Sequence, residues 1–317
     1  MMQTAAIVGA GLIGRAWAVV FARAGWRVRL HDADPAALEQ AMAWVPACLR
    51  EHQALGLADD AAAAAARLSS HASLADALAG ADWVQENGPE HIDVKRALFA
   101  ALDASAPAHA ILASSTSAIV ASQFTDALPG RARCLVVHPV NPPHLVPVVE
   151  LCGAPWTSPA TIERAREVMQ AVDQVPVTVR REIEGFVLNR LQGALLSEAM
   201  RLVGEGVVSP ADLDATVAAG LGLRWSFMGP FATIELNAPG GVADYAARYA
   251  AFYRRLAADP ARPSAWDADN AARVSAALGP PLSPSEREAR MRWRDARLAA
   301  LRAHQRASPD PDQGTSR

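Results

Sequence analysis

The stretch Thr4-Ala5-Ala6-Ile7-Val8-Gly9-Ala10-Gly11-Leu12-Ile13-Gly14 decides the fold. Thr4 to Val8 reads as a strand buried on both faces. It runs straight into a Gly-x-Gly-x-x-Gly turn, after which Arg15 to Ala24 carries apolar residues at helical spacing (Trp17, Val20, Phe21, Ala24). Strand, glycine turn and helix start together form a dinucleotide fingerprint. Gly9 permits the tight turn, Gly11 lets backbone approach a pyrophosphate, and Gly14 lets helix and strand pack closely. Leu12 and Ile13 begin the helix, whose amides and partial positive charge face the phosphates. The second strand, Trp26 to His31, ends at Asp32, where a ribose-binding acid belongs. A carboxylate there accepts hydrogen bonds from both ribose hydroxyls and repels a 2′-phosphate, so NAD is expected rather than NADP.

Working outward, residues 1–182 alternate strand-like and helix-like segments, as a doubly wound sheet requires. A helix is expected from Pro35 to about Leu55, strands at 82–85 and 110–113, and a helix holding Lys95 to Leu102. The strand at 110–113 ends in Ser114-Ser115-Thr116-Ser117, hydroxyl groups at the sheet edge where open α/β sheets bind ligands. From 183 to 306 the pattern is helical, with a helix opening at Phe186, another at Pro210, and later ones over 242–258 and 284–305. Gly220 to Pro230, rich in glycine and aromatics, reads as a loop, and 307–317 as a disordered tail. The fold class is therefore α/β, a Rossmann-type doubly wound sheet followed by an all-α C-terminal domain.

Residues 132–137 and 146–152 read as short strands joined by His138-Pro139-Val140-Asn141-Pro142-Pro143. If they lie side by side, His138 meets Glu150, whose carboxylate fixes the ring tautomer and frees the other nitrogen as a base. Taken alone, a turn histidine and a strand-edge glutamate would be the commoner reading; the glycine turn and the serine run overturn it.

Composition narrows the classes. At 317 residues the chain holds two domains, with 51% hydrophobic and 20% charged residues. A net charge of −3 predicts no attraction to nucleic acid or anionic membrane, and no apolar run reaches spanning length. Cys48, Cys134 and Cys152 are odd in number and widely spaced, which suggests neither a disulfide framework nor a zinc site. A cytoplasmic protein is expected. Lys95 is the only lysine, a bias that points to coding composition, unless a compact ammonium is needed at that position.

With these motifs in order, and with Arg181-Glu-Ile-Glu-Gly-Phe-Val-Leu-Asn-Arg-Leu191 and Gly220-Leu-Gly-Leu-Arg-Trp-Ser-Phe-Met-Gly-Pro230 added, the chain resembles the 3-hydroxyacyl-CoA dehydrogenase superfamily over nearly its whole length. The match is closest to the branch with lambda-crystallin and L-gulonate 3-dehydrogenase. The resemblance implies that His138 is the catalytic base and Glu150 its orienting partner. It implies that Ser117 and Asn189 hydrogen-bond the reacting oxygen, that Asp32, Glu90 and Lys95 contact NAD, and that Asn141 shapes the pocket. It also implies a homodimer built through the helical domain. Around Ala47 to Leu55, where acyl-CoA members bind the coenzyme, there is no lysine and Cys48 stands in place of a serine. Arg224, ahead of Met228-Gly229-Pro230, suits a free carboxylate. An L-3-hydroxy acid is thus the expected substrate, and an L-3-hydroxyacyl-CoA the alternative. His144 is expected on an exposed loop.

Overall fold

A computed structural model describes residues 2–308. The chain forms two compact units, one of residues up to 189 together with 292–307, the other of residues 190–291.

The first unit is built on an eight-stranded sheet of order β3-β2-β1-β4-β5-β6-β7-β8. Its strands are β1 (Thr4–Val8), β2 (Arg27–His31), β3 (Leu68–Ser70), β4 (Trp83–Glu86), β5 (Ile111–Ser114), β6 (Cys134–Pro139), β7 (Val148–Gly153) and β8 (Val175–Val179). Pairing is parallel except between β6 and β7. Every residue of β1 is buried, as a central parallel strand covered on both faces demands. The sheet reverses direction of growth between β1 and β4, and a crevice at such a switch point is where these sheets take ligands.

Helices α1 (Leu12–Arg23), α2 (Pro35–Ala54), α3 (Ala61–Ala65), α4 (Leu74–Leu78), α5 (Ile92–Ser105), α6 (Ser122–Thr125) and α7 (Pro159–Ala171) connect the strands. Trp17 and Phe21 of α1 pack under Trp26 and Trp83 in one core layer, with Phe21 centroids 5.2 Å and 6.1 Å from those two rings. Phe99 of α5 and Phe124 of α6 anchor the layer on the opposite face, 4.6 Å apart. Helix α2 starts where the sequence dictates: Asp34 accepts from Ala36 N at 3.0 Å and Pro35 follows with a preset φ.

Helix α8 (Leu188–Gly204) begins two residues after the expected start at Phe186. Gly185 and Phe186 hold φ of +76° and +46°, which no right-handed helix contains. A phenylalanine there costs about 1–2 kcal/mol; its fully buried ring offsets this.

In the second unit, α9 (Pro210–Ala215) passes through a π-type turn at Thr216–Leu221 into α10 (Gly222–Trp225), so the expected loop at 220–230 is helical as far as Trp225. Next come α11 (Pro230–Leu236), α12 (Gly241–Ala257), α13 (Ala268–Leu278) and α14 (Pro284–Ala307), the last entering the first unit at Arg292. Buried Asn270 donates to Met200 O at 3.0 Å and Ala265 O at 2.8 Å, and a Cβ on Gly204 would collide with it.

The sequence placed 183–306 in one helical domain, whereas 183–189 and 292–307 pack with the sheet. The reason at the C-terminal end is specific. Ala299 is buried with Leu57 and Leu145, and Arg302 reaches Asp173 at 3.0 Å, so this arginine-rich helix is only partly a solvated face. The tail expected at 307–317 lies outside the described residues from 309 onward. No described helix is long and apolar enough to cross a membrane.

Candidate active site

The glycine turn has the geometry its sequence implies. Gly9 has φ +92°, and a Cβ there would stand 2.8 Å from Asn87 O. A Cβ on Gly14 would strike Gly9 O, while one on Gly11 would project into open space ahead of α1. Leu12, the first residue of α1, is exposed beside that opening, and Ile13 packs back on the core. Asp32 closes the turn: Oδ2 accepts from Ala10 N at 2.6 Å and Oδ1 from Asp34 N at 2.8 Å. Each oxygen keeps a lone pair for a ribose hydroxyl. Free backbone amides at a helix start, unfilled space over Gly11 and a fixed carboxylate on β2 are what NAD requires, so these residues fit the cofactor.

A polar network the sequence reading missed supports this turn from β4. Ser115 Oγ receives Trp17 Nε1 at 3.0 Å and Gln85 Nε2 at 2.8 Å, and donates to Asn87 Oδ1 at 2.7 Å. Asn87 Nδ2 returns to Gln85 O at 2.9 Å. The signal was available in Gln85 and Asn87, amides on either side of Glu86 where a buried strand ends.

His138 lies within β6 rather than beyond it, directly opposite Glu150 on the antiparallel β7. The two meet at 2.9 Å, Nδ1 to Oε2, and both are buried. Glu150 Oε1 takes the amides of Val187 at 2.8 Å and Leu188 at 3.0 Å, the first donors of α8. Burial works to raise the Glu150 pKa, but His138 and these two amides outweigh it and hold it below the usual carboxylate range. The carboxylate is therefore an acceptor only, so His138 Nδ1 carries the proton and Nε2 presents a lone pair. Phe186, the strained residue before α8, lies 5.4 Å from the imidazole centroid.

One residue into α8, Asn189 donates through Nδ2 to Ser117 O at 3.0 Å. The structure thus brings His138, Glu150, Asn189 and Ser117 into one chain of contacts. Glu90 completes it from an unexpected side. Its Oε1 accepts from Thr116 Oγ1, from Ala118 N at 3.1 Å and from Ile119 N at 3.3 Å, clamping the loop that carries Ser117. Burial opposes ionisation of Glu90; Thr116, Lys95 and the two amides overcome it and lower its pKa.

Lys95 is turned inward within the chain. It is 1% exposed and contacts both oxygens of Glu86 at 3.1 Å. Glu86 also accepts from Ser114 Oγ at 2.5 Å and Gly88 N at 2.6 Å, so the lone lysine neutralises a carboxylate inside the sheet edge. Asn141 is exposed after β6. His144 is buried, contrary to expectation, because its ring stacks on His52 at 5.3 Å and meets the edge of Trp44 at 5.4 Å. Arg224 is exposed on α10 of the other unit.

Residues 4–183 match the model of the 3-hydroxyacyl-CoA dehydrogenase NAD binding domain, and 185–275 that of its C-terminal domain. Lambda-crystallin of Oryctolagus cuniculus is 40% identical over 300 residues, covering 93% of this chain and 94% of that protein. L-carnitine dehydrogenase of Streptomyces griseus is 38% identical over 243 residues, covering 76% and 72%. The solved structure of 5-formyl-3-hydroxy-2-methylpyridine 4-carboxylic acid 5-dehydrogenase, an NAD+-dependent dismutase, superposes with a TM-score of 0.83 at 30% identity, covering 95% of this chain and 98% of that one. A sheet that fits NAD, a buried histidine–glutamate pair and family matches over both units lead to one conclusion: the chain belongs to the 3-hydroxyacyl-CoA dehydrogenase family and is an NAD-dependent hydroxy acid dehydrogenase.

Proposed function

We propose that this enzyme oxidises the 3-hydroxyl of an L-3-hydroxy acid, L-gulonate-like or short-chain, to the 3-keto acid, with His138 as general base. The observation that carries the reading is the double use of Glu150, which fixes the His138 tautomer with one oxygen and the start of the Asn189 helix with the other. In this reading His138 Nε2 takes the hydroxyl proton, and the developing imidazolium is stabilised by Glu150 across a 2.9 Å contact. Asn189 and Ser117, tied together at 3.0 Å, stabilise charge on the substrate oxygen. Glu90 acts on the Ser117 loop. NAD, when bound, supplies the hydride acceptor.

A free acid rather than a thioester is favoured by the segment at 47–55. Cys48, Leu49 and His52 turn inward there, leaving Arg50 as its one exposed cation. The NAD+-dependent dismutase, whose substrate is a carboxylic acid, superposes with a TM-score of 0.83 against 0.65 for 3-hydroxybutyryl-CoA dehydrogenase of Escherichia coli. Arg224 is the proposed anchor for the substrate carboxylate. We further propose a homodimer, supported by Leu223, Phe227, Phe231 and Leu236 lying exposed in the second unit, and a cytoplasmic location, which three free cysteines favour.

Initial rates of NAD+ reduction at alkaline pH with L-gulonate, L-3-hydroxybutyrate and L-3-hydroxybutyryl-CoA test the substrate class. Turnover of the free acids with little on the thioester is expected; the reverse result assigns the acyl-CoA reaction.

A further inference from the structure

On the inner face of α2, away from the His138–Glu150 pair, lies a second cluster with chemistry of its own. Cys48 and His52 stand at i and i+4, one above the other on the same helix face. His144 descends on them from the connection between β6 and β7. One donor atom from each, the Cys48 thiol and a ring nitrogen of either histidine, lies within 4.8 Å of the others. All three residues are buried, at 5%, 3% and 6% exposure. His144 Nδ1 is enclosed without a hydrogen-bond partner among the described residues, which is rare for a buried polar atom.

We propose that Cys48, His52 and His144 form a three-coordinate site for a soft monovalent cation, copper(I). Thiolate and imidazole are the donors such an ion selects. At bond lengths of roughly 2.0–2.3 Å, three donors in a trigonal plane stand ~3.7 Å apart, so the present cluster needs to contract by about an ångström. Each imidazole coordinates in its neutral form, and an ordinary thiol is protonated at neutral pH until a metal displaces its proton.

Among the neighbouring charges Arg23 weighs against a divalent ion, while Glu51 and Asp295 act on Cys48 in the opposite sense. Arg23 is packed against the cluster, with Nη1 2.8 Å from His144 O and 3.4 Å from His52 Nδ1. Its guanidinium opposes any gain of positive charge. When copper(I) binds, the Cys48 S–H bond breaks, an S–Cu bond forms and one proton leaves to solvent, with no change in the oxidation state of metal or sulfur. One positive charge enters and one departs, so Arg23 meets no added charge. Zinc(II) would leave an excess of one. The long Arg23–His52 contact is given up on binding, while Arg23 keeps His144 O and Asp173 at 3.7 Å. The bound ion ties α2 to the connection that follows His138.

The test is an anaerobic titration of the full chain with copper(I) held by bicinchoninate, with zinc(II) in a parallel series. Wild type is expected to withdraw one equivalent of copper, release one proton and melt at higher temperature. Cys48→Ser and His144→Phe should each weaken uptake by on the order of 10²-fold or more, with circular dichroism verifying their fold. The proposal is overturned if wild type leaves the copper with bicinchoninate. It is equally overturned if a folded Cys48→Ser chain still takes one equivalent, which would move the metal to Cys134 or Cys152, or if zinc(II) binds where copper(I) does not.

Discussion

His138 and His144 stand six residues apart and are almost equally enclosed, at 5% and 6% exposure, yet they are built for different ends. His138 faces a carboxylate across a strand pair, and that carboxylate is itself held ionised by two helix amides. His144 faces His52, Trp44 and, within electrostatic reach, Arg23, Arg15 and Arg294. Burial disfavours the imidazolium of His144, which has no carboxylate against it, whereas His138 has Glu150 at 2.9 Å. Burial alone silences a histidine, and a positioned carboxylate restores its proton chemistry.

The largest effect should come from removing the histidine with the carboxylate. His138→Ala is expected to lower kcat by ~10²–10⁴-fold, while NADH binding, followed by fluorescence, is retained. Turnover within a factor of a few of wild type would end the assignment of His138 as base.

Lys95 extends the contrast to a second buried side chain facing a carboxylate. It and Glu86 are 1% and 0% exposed at the side chain, so removing one partner strands the other. Lys95→Met should cost about 3–5 kcal/mol in urea or thermal unfolding. A loss below ~1 kcal/mol would mean that Glu86 takes up a proton without penalty.

Glu150→Gln makes His138 resemble His144, buried without a charged partner. With its one oxygen held by the Val187 and Leu188 amides, the carboxamide turns an N–H toward Nδ1 and so demands the opposite ring tautomer. A kcat loss on the order of 10²-fold is expected, from the misplaced tautomer. If the variant matches wild type across a pH–rate profile, Glu150 serves only as a helix cap.

How much of this was legible beforehand follows from separation along the chain. The glycine turn, Asp32 and the β6–β7 pairing were readable because each rests on local spacing, and the register opposes His138 and Glu150 as their positions implied. Glu90 and Lys95 are assigned by resemblance to the cofactor; within the chain Glu90 holds Thr116, Ala118 and Ile119, and Lys95 holds Glu86, which also accepts from Ser114. Those contacts join the ends of neighbouring strands, and no periodicity in the sequence announces them. His144 was misjudged for the same reason. A loop histidine looks solvated until α2 is placed over it, and Cys48 gave no metal signal because its third partner lies far along the chain, in the β6–β7 connection.

The smallest effect is the most discriminating between the two histidines. His52 and His144 are held near 3 in the folded chain against 6.5 when unfolded, so between those values the unfolded state binds more protons. Stability should therefore be constant above pH 6.5 and fall as pH drops below it, by about 2 kcal/mol per histidine between pH 7 and 5. Glu150 works in a lower window. Its folded pKa is depressed below 4.5, so its contribution is complete above that pH and is lost only on further acidification. Between pH 7 and 5 the slope thus reports on the stacked pair, with His71, whose pKa burial also lowers, adding to it, and not on Glu150. His144→Phe keeps an aromatic ring against His52 and Trp44 while removing one titrating group. Urea unfolding at pH 7 and pH 5 should then differ by about 2 kcal/mol less than in wild type. An unchanged slope would show that His144 gains protons as readily in the folded chain as in the unfolded one, and the contrast with His138 would have to be redrawn.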